Sequence, residues 1–304
     1  MRTLLFLAII ISKCQNPNEK IPITKTVEAI SSITKTVDVF SSNQRKHTEQ
    51  EVNTGNKLLS KTLSTYSSNF LFEDKYVSRA KNISLAASKL NGIEISPGLR
   101  FSFNETIGKR TKEHGFQEAT VIFASEKTEG MGGGVCQVSS TLYAAAMFAG
   151  MNVTNRVSHS RPSTYISKGL DSTVDYYTNI DLAFTNPYDF PVKIITNISE
   201  PGTIKISFLG SDVIYNTKHY FKKQAVIPFS QRIIRGPYRF GPPKKKQKGE
   251  DGTPGLSFWY YKSNNEKYKD KFVQTESRYK SIPEIWYANN TDDITPLKDN
   301  SNGI

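Results

Sequence analysis

The sequence predicts an α+β protein. Its main part is a mixed domain in which a buried helix, starting at Gly-Gly-Gly-Val-Cys-Gln, packs on a largely antiparallel sheet. A small β-rich module follows. Helical and strand-like segments are mixed without the βαβ rhythm of a doubly wound sheet. Val77–Leu90 and the stretch after Cys136 carry apolar residues at helical spacing, and two β-rich runs near residue 200 are joined by Pro-Gly.

Along the chain, Met1-Arg2 is a short positive start, and the apolar run Leu4–Ile11 suits a secretory h-region, too short to span a bilayer. Cys14 ends it, where a lipoprotein signal carries its acylated cysteine, although Lys13 stands where a small residue is usual. The expectation is export, to the periplasm or the outer face of a bacterial membrane. Lipid anchoring through Cys14 is set against plain cleavage of residues 1–14. Residues 15–62 read as a tether containing a ten-residue tandem repeat, Ile23–Ser32 and Ile33–Ser42; two copies are too few for a solenoid.

The mixed domain is placed at 63–210. Val77, Ala80, Ile83, Ala87 and Leu90 share a helical face that Asn91-Gly92 ends. Ala119–Ala124 reads as a buried strand, Val153–Val157 and Ile180–Phe184 as strand-like, and Asn186-Pro187-Tyr188-Asp189 as a turn. Val192–Ile198 and Thr203–Leu209 form a hairpin, with type II turn chemistry in Glu200-Pro201-Gly202. Ile204, Ile206 and Phe208 alternate with Lys205 and Ser207, so one face is wet. Residues 211–288 are assigned to a basic β-rich module and 289–304 to a disordered tail. Across 211–304 there are 17 Lys+Arg against 10 Asp+Glu, and Lys244-Lys245-Lys246 reads as a solvated loop.

Composition narrows function. The 304 residues hold 40 Lys+Arg and 28 Asp+Glu, a net charge of +12, which points to anionic partners. Export argues against nucleic acid, leaving anionic envelope polymers or a membrane surface. Two cysteines, Cys14 and Cys136, exclude a disulfide scaffold and a four-cysteine zinc site. No metal constellation or cofactor motif is present, and none is expected.

The chemistry concentrates at Gly130–Tyr143. Three glycines precede Cys136, and Val138, Leu142, Ala145 and Ala149 form one helical stripe that Gly150 stops. A thiol at the amino end of a helix meets unpaired N–H groups and the positive end of the dipole, which lower its pKa. The backbone of Gly132, Gly133, Gly134 and Val135 could form an oxyanion hole, the glycines leaving room for substrate. Free cysteines are also common inert packing residues. Among His47, His114, His159 and His219, His159 is the best candidate base, lying in Val157-Ser-His-Ser-Arg-Pro162, with His114 the weaker alternative. Arg161 is a candidate carboxylate clamp, with Gln137 and Ser158 as further substrate-binding residues. Asp171, Asp175 and Asp181 are candidates to orient the histidine.

Asn82-Ile-Ser-Leu-Ala-Ala, Ile95–Asn104, Gly-Gly-Gly-Val-Cys-Gln-Val-Ser-Ser-Thr-Leu-Tyr, His-Ser-Arg-Pro, Asp171-Ser-Thr-Val and Asp181-Leu-Ala-Phe-Thr-Asn together resemble the VanW domain. Ser172 stands where typical members have Ala. The region 226–288 is vaguely similar to the G5-like modules that often follow. Some VanW domains act as L,D-transpeptidases with the motif cysteine as nucleophile, so the resemblance implies that role for Cys136. The expected function is then a cysteine acyltransferase acting on peptidoglycan stem peptides with release of D-Ala. A non-catalytic envelope-binding or assembly protein is the competing class, and an L,D-carboxypeptidase or peptidase is a third reading.

Overall fold

The computed structural model describes residues 59–71, 76–123, 126–199, 202–236 and 243–290. The expected leader at 1–14 with Cys14, most of the tether with its repeat, His47, and the tail beyond 290 lie outside the described residues.

Among the described residues, three α-helices and fifteen strands follow one another. Strand β1 (Lys61–Asn69) precedes α1 (Val77–Leu90), β2 (Glu94–Ile95), β3 (Arg100–Ser102) and α2 (Phe103–Ile107). Then come β4 (Glu118–Phe123), β5 (Glu126–Met131), α3 (Val135–Phe148), β6 (Asn152–Asn155), β7 (Ala183–Thr185), β8 (Val192–Ser199) and β9 (Thr203–Gly210). The rest is β10 (Tyr215–Lys223), β11 (Gln231–Gly236), β12 (Lys244–Gln247), β13 (Gly255–Ser263), β14 (Lys271–Ser277) and β15 (Glu284–Asn289).

Helix α3 is the axis of the fold. Apolar and small residues cover it on every side, which is the pattern of a buried helix, and Val135 and every residue from Gln137 to Met147 are buried. Helix α1 is amphipathic and turns Ala80, Ile83, Ala87 and Leu90 inward. The antiparallel sheet β1-β9-β8-β2 closes another side. On β9, Ile204, Ile206 and Phe208 are fully buried while Lys205 is exposed. Side chains such as Ile83 or Leu142 each stabilise the fold by about 1.5–3 kcal/mol through burial. Two serines of β1 fasten it to α3: Ser64 Oγ donates to Ala145 O (2.6 Å) and Ser68 Oγ meets Thr141 Oγ1 at 2.7 Å.

The described residues form one compact unit. Strands β10-β13-β14 make an antiparallel sheet whose inner face packs on α3. Trp259 is fully buried there, edge-on to Phe148 (ring centroids 5.3 Å apart) and Tyr143 (6.4 Å). The third sheet, β11-β15-β12, contains a parallel pair, β11 with β15.

Three sequence expectations change. The stretch from Ala119 is one arm of the two-stranded ribbon β4-β5, with Ala119 buried and Thr120 exposed, because no second layer covers a ribbon. Its partner β5 is Glu-Lys-Thr-Glu-Gly-Met, too polar to announce a strand. Lys244–Lys246 is strand β12 rather than a loop, on the edge of its sheet, where lysines keep an edge solvated. The third is shorter: of Ile180–Phe184, only Ala183 and Phe184 lie in a strand, β7, while Ile180 bridges Asp175.

Candidate functional site

The glycine run is shaped by the protein's own backbone. Gly133 lies so close to β4 that a Cβ there would meet Thr120 O at 2.6 Å and Ala119 C at 2.8 Å. Gly134, the residue before α3, has φ +105, and a Cβ would press on Ile83 and Arg79. The glycines therefore serve internal packing, a correction to their expected role of making room for substrate. Buried Asn82 pins the run, donating to Gly133 O (3.0 Å) and Gln117 O (2.9 Å) and accepting from Gln117 N–H (2.8 Å).

This geometry also revises the oxyanion hole. Gly132 N–H donates to Gln117 O and Val135 N–H to Gly132 O, each at 3.1 Å. No backbone carbonyl among the described residues takes the N–H of Gly133, Gly134 or Cys136, so these three are the available donors.

Cys136 is the second residue of α3 and is partly exposed. Its thiol donates to Val174 O at 3.5 Å. Burial pushes its pKa up, and the guanidiniums of Arg110 and Arg79 pull against that without cancelling it. The expected pKa depression is thus reversed, because the first turn of α3 is packed under protein rather than open to water. The resting thiol is protonated and requires a base.

His159 is buried against Asp171. Asp171 Oδ2 accepts from the His159 N–H at 2.6 Å and lies 3.1 Å from its Nδ1. The other ring nitrogen, Nε2, lies 2.9 Å from the hydroxyl of Tyr165. In a neutral imidazole whose Nδ1–H donates to Asp171, Nε2 accepts the phenol proton. No hydrogen bond among the described residues joins either ring nitrogen to the thiol; Nε2 faces Tyr165 instead. The Tyr165 hydroxyl is held high chiefly by burial. Asp171 runs the other way. Its burial opposes ionisation, yet His159, Arg156 and Tyr279 together hold its carboxyl at about 2.

The remaining expected site residues have other duties. Asp175 caps its own turn through Tyr177 N–H and Thr178 Oγ1. Asp181 accepts from Ser102 Oγ (2.6 Å) and Asn104 N–H (2.9 Å) at the start of α2, so neither orients His159. Gln137 is buried and acts inside the fold: its Oε1 takes Arg79 Nη2 at 2.7 Å while its Nε2 donates to Ser68 Oγ and Asn69 O. Arg161 already holds a carboxylate, Glu250 Oε1 at 2.9 Å, and Ser158 Oγ accepts Arg278 N–H. His114 bonds Thr111 in an exposed turn.

Four residues escaped the sequence reading: Arg79, Arg110, Tyr165 and Tyr279. Arg110 is buried, donates to Asn104 Oδ1 (2.7 Å) and lies over the Tyr176 ring. Asn104 and Tyr176 also line a polar cleft of about 530 Å³ with Arg100, Glu105 and Asn179. The Ser139-Ser140 pair following Cys136 has a local signal: both hydroxyls donate to Ser172 O, docking the Asp171–Val174 segment on α3. No group of three or more His, Cys, Asp or Glu suited to a metal occurs among the described residues, and no helix there is long and apolar enough to cross a membrane.

Comparison with known proteins places this site in context. Residues 78–209 match the family described as VanW like protein. The chain is 39% identical over 143 residues to the uncharacterized protein YoaR of Bacillus subtilis (strain 168), covering 47% of this chain and 46% of that one. It is 28% identical over 124 residues to the vancomycin B-type resistance protein VanW of Enterococcus faecalis (strain ATCC 700802 / V583), covering 39% of this chain and 45% of that one. The chain thus spans less than half the length of either relative.

Proposed function

With residues 78–209 belonging to the VanW family, we propose that this is a cell-envelope cysteine acyltransferase working on peptidoglycan stem peptides. The observation that carries the proposal is the hydrogen-bonded chain Asp171–His159–Tyr165, whose phenol lies within electrostatic range of Cys136 at the start of a buried helix.

In the proposed reaction Tyr165 passes its proton to His159 Nε2 as it takes the thiol proton, and Sγ attacks the carbonyl between stem residue three and D-Ala four. The C–O π bond becomes an oxyanion facing the N–H groups of Gly133, Gly134 and Cys136, with Arg79 supplying positive charge. When the carbonyl re-forms, the C–N bond breaks and D-Ala leaves, its amine taking the proton back through Tyr165. An amine from a neighbouring stem then attacks the thioester, loses its proton into the same chain and releases Cys136 as thiol. Water in place of the amine gives an L,D-carboxypeptidase. Export and anchoring through Cys14 belong to the same proposal, since this substrate lies outside the cytoplasm.

One observation favours a second reading. The raised thiol pKa suits a packing cysteine in a wall-binding protein. Intact-mass measurement on the full chain incubated with a disaccharide-tetrapeptide separates the two. An adduct lacking one D-Ala, present in wild type and absent from Cys136→Ala, supports acyl transfer. No adduct and no released D-Ala overturns it.

A further inference from the structure

The strands β10–β15 lie outside the matched segment, yet they reach the site. Asp171 Oδ2 is occupied by His159, so the orientation of the carboxylate depends on what holds Oδ1. Two groups do: Arg156 Nη2 at 3.4 Å and the hydroxyl of Tyr279, 108 residues further along the chain. The direction of the second bond is fixed by chemistry. Gly169 N–H donates to the Tyr279 oxygen at 2.7 Å, and an ionised carboxylate only accepts, so the phenol proton points at Asp171. Burial raises the pKa of Tyr279, which keeps that proton in place.

The surrounding contacts fix the phenol against the His159 loop. Arg278 N–H donates to Ser158 Oγ (3.0 Å) and Lys280 N–H to Ser160 O (2.7 Å), one on each side of Tyr279 and of His159. Arg156 is itself held from this side, by Glu276 O (2.6 Å) and Ser277 Oγ (3.0 Å).

We propose that Tyr279 is a positioning residue of the reaction above: its hydroxyl holds the Asp171 carboxylate in the orientation that aims His159, so the carboxy-terminal strands complete the site. This rests on the reading of Cys136 as the nucleophile. The groups facing Asp171 are His159, Arg156 and Tyr279.

The test is Tyr279→Phe in the full chain, which keeps the ring against Phe221 and deletes only the hydroxyl. D-Ala release from the disaccharide-tetrapeptide is followed across pH, alongside iodoacetamide alkylation of Cys136 and thermal unfolding. The expected result is a kcat lower by about tenfold or more, as for lost supporting hydrogen bonds, with KM within about twofold. The acidic limb of both profiles should move to higher pH, because Asp171 has lost a donor that favours its ionised form. In an Asp171→Asn background the same change should have little further effect. Wild-type kcat with an unmoved acidic limb, or full additivity with Asp171→Asn, overturns the proposal. If Tyr279→Phe does not fold, 3-fluorotyrosine at 279 supplies an isosteric, stronger donor; the acidic limb should then move to lower pH, and an unmoved limb overturns the proposal. Cys136→Ala separates the failures. Activity retained in Cys136→Ala sinks the acyl-transfer reading itself, whereas activity lost there and kept in Tyr279→Phe sinks only the positioning role.

Discussion

The two halves of the site are built differently. The thiol half is local: the glycine run and Cys136 are consecutive, and Asn82 of α1 pins the run. The imidazole half is long-range: His159, Tyr165 and Asp171 come from one loop region, but Arg156 and Tyr279 tie that region to β14 and the turn after it. The thiol half depends on close backbone approach, so it should be sensitive to added volume. The imidazole half depends on a buried carboxylate, so it should be sensitive to lost charge.

The sharpest break of the second half is Asp171→Asn. It keeps the shape but leaves His159 facing an amide, and under the acyl-transfer reading kcat should fall on the order of a hundredfold or more. Stability should respond as well. A carboxyl held at about 2, below its ordinary 3.8, contributes stability that is fully present above about 3.8 and lost as pH falls through about 2. Acid unfolding monitored by circular dichroism should show that dependence in wild type and lose it in Asp171→Asn.

For the first half the corresponding break is Gly133→Ala. The added methyl would meet backbone at Thr120 and Ala119, and backbone cannot swing aside as a side chain can. Overpacking of this kind costs about 1–3 kcal/mol, read as a lower Tm with Cys136 still present. A variant of wild-type stability would mean that β4 and the glycine run are not packed this closely.

This contrast also explains what was legible in the sequence. Helices α1 and α3 announce themselves through 3.6-residue spacing, and the β8-β9 hairpin through alternation and Pro-Gly, because these are local patterns. Cys136 stood out for the same reason. Tyr165 and Tyr279 did not, since the partners that distinguish them among 15 tyrosines, His159 and Asp171, are supplied by tertiary packing. The thiol pKa was misjudged in sign because the helix terminus is visible in sequence and the protein packed over it is not. The partner of Arg161 could not be read either, because its carboxylate, Glu250, lies 89 residues away.

A smaller effect tests the seam between α3 and the strands after it. His219 packs at a tilt against buried Trp259, with ring centroids 4.2 Å apart, and burial holds its pKa down at about 4. A histidine depressed in this way contributes stability that is present above its unfolded value near 6.5 and lost as pH falls through about 4. The Tm should therefore decline between pH 6.5 and 4 and flatten in His219→Gln. This window lies above that of Asp171, so the two contributions separate in one titration.

The smallest expected effect concerns the loop that joins the two halves. Arg161 and Glu250 form an ion pair at 2.9 Å in which the glutamate is half exposed, and pairs of this kind are worth about 0–1 kcal/mol. If Arg161 serves as a strut from the His159 loop to the carboxy-terminal strands, Arg161→Ala and Glu250→Ala should have the same small effect on Tm and leave KM for a carboxylate-bearing substrate unchanged. If it exchanges Glu250 for a substrate carboxylate, the two variants part company. Removing Glu250 takes away a competing carboxylate and should lower KM, whereas removing Arg161 should raise it. Opposite movements of KM would return Arg161 to the substrate-binding role expected from its place beside His159.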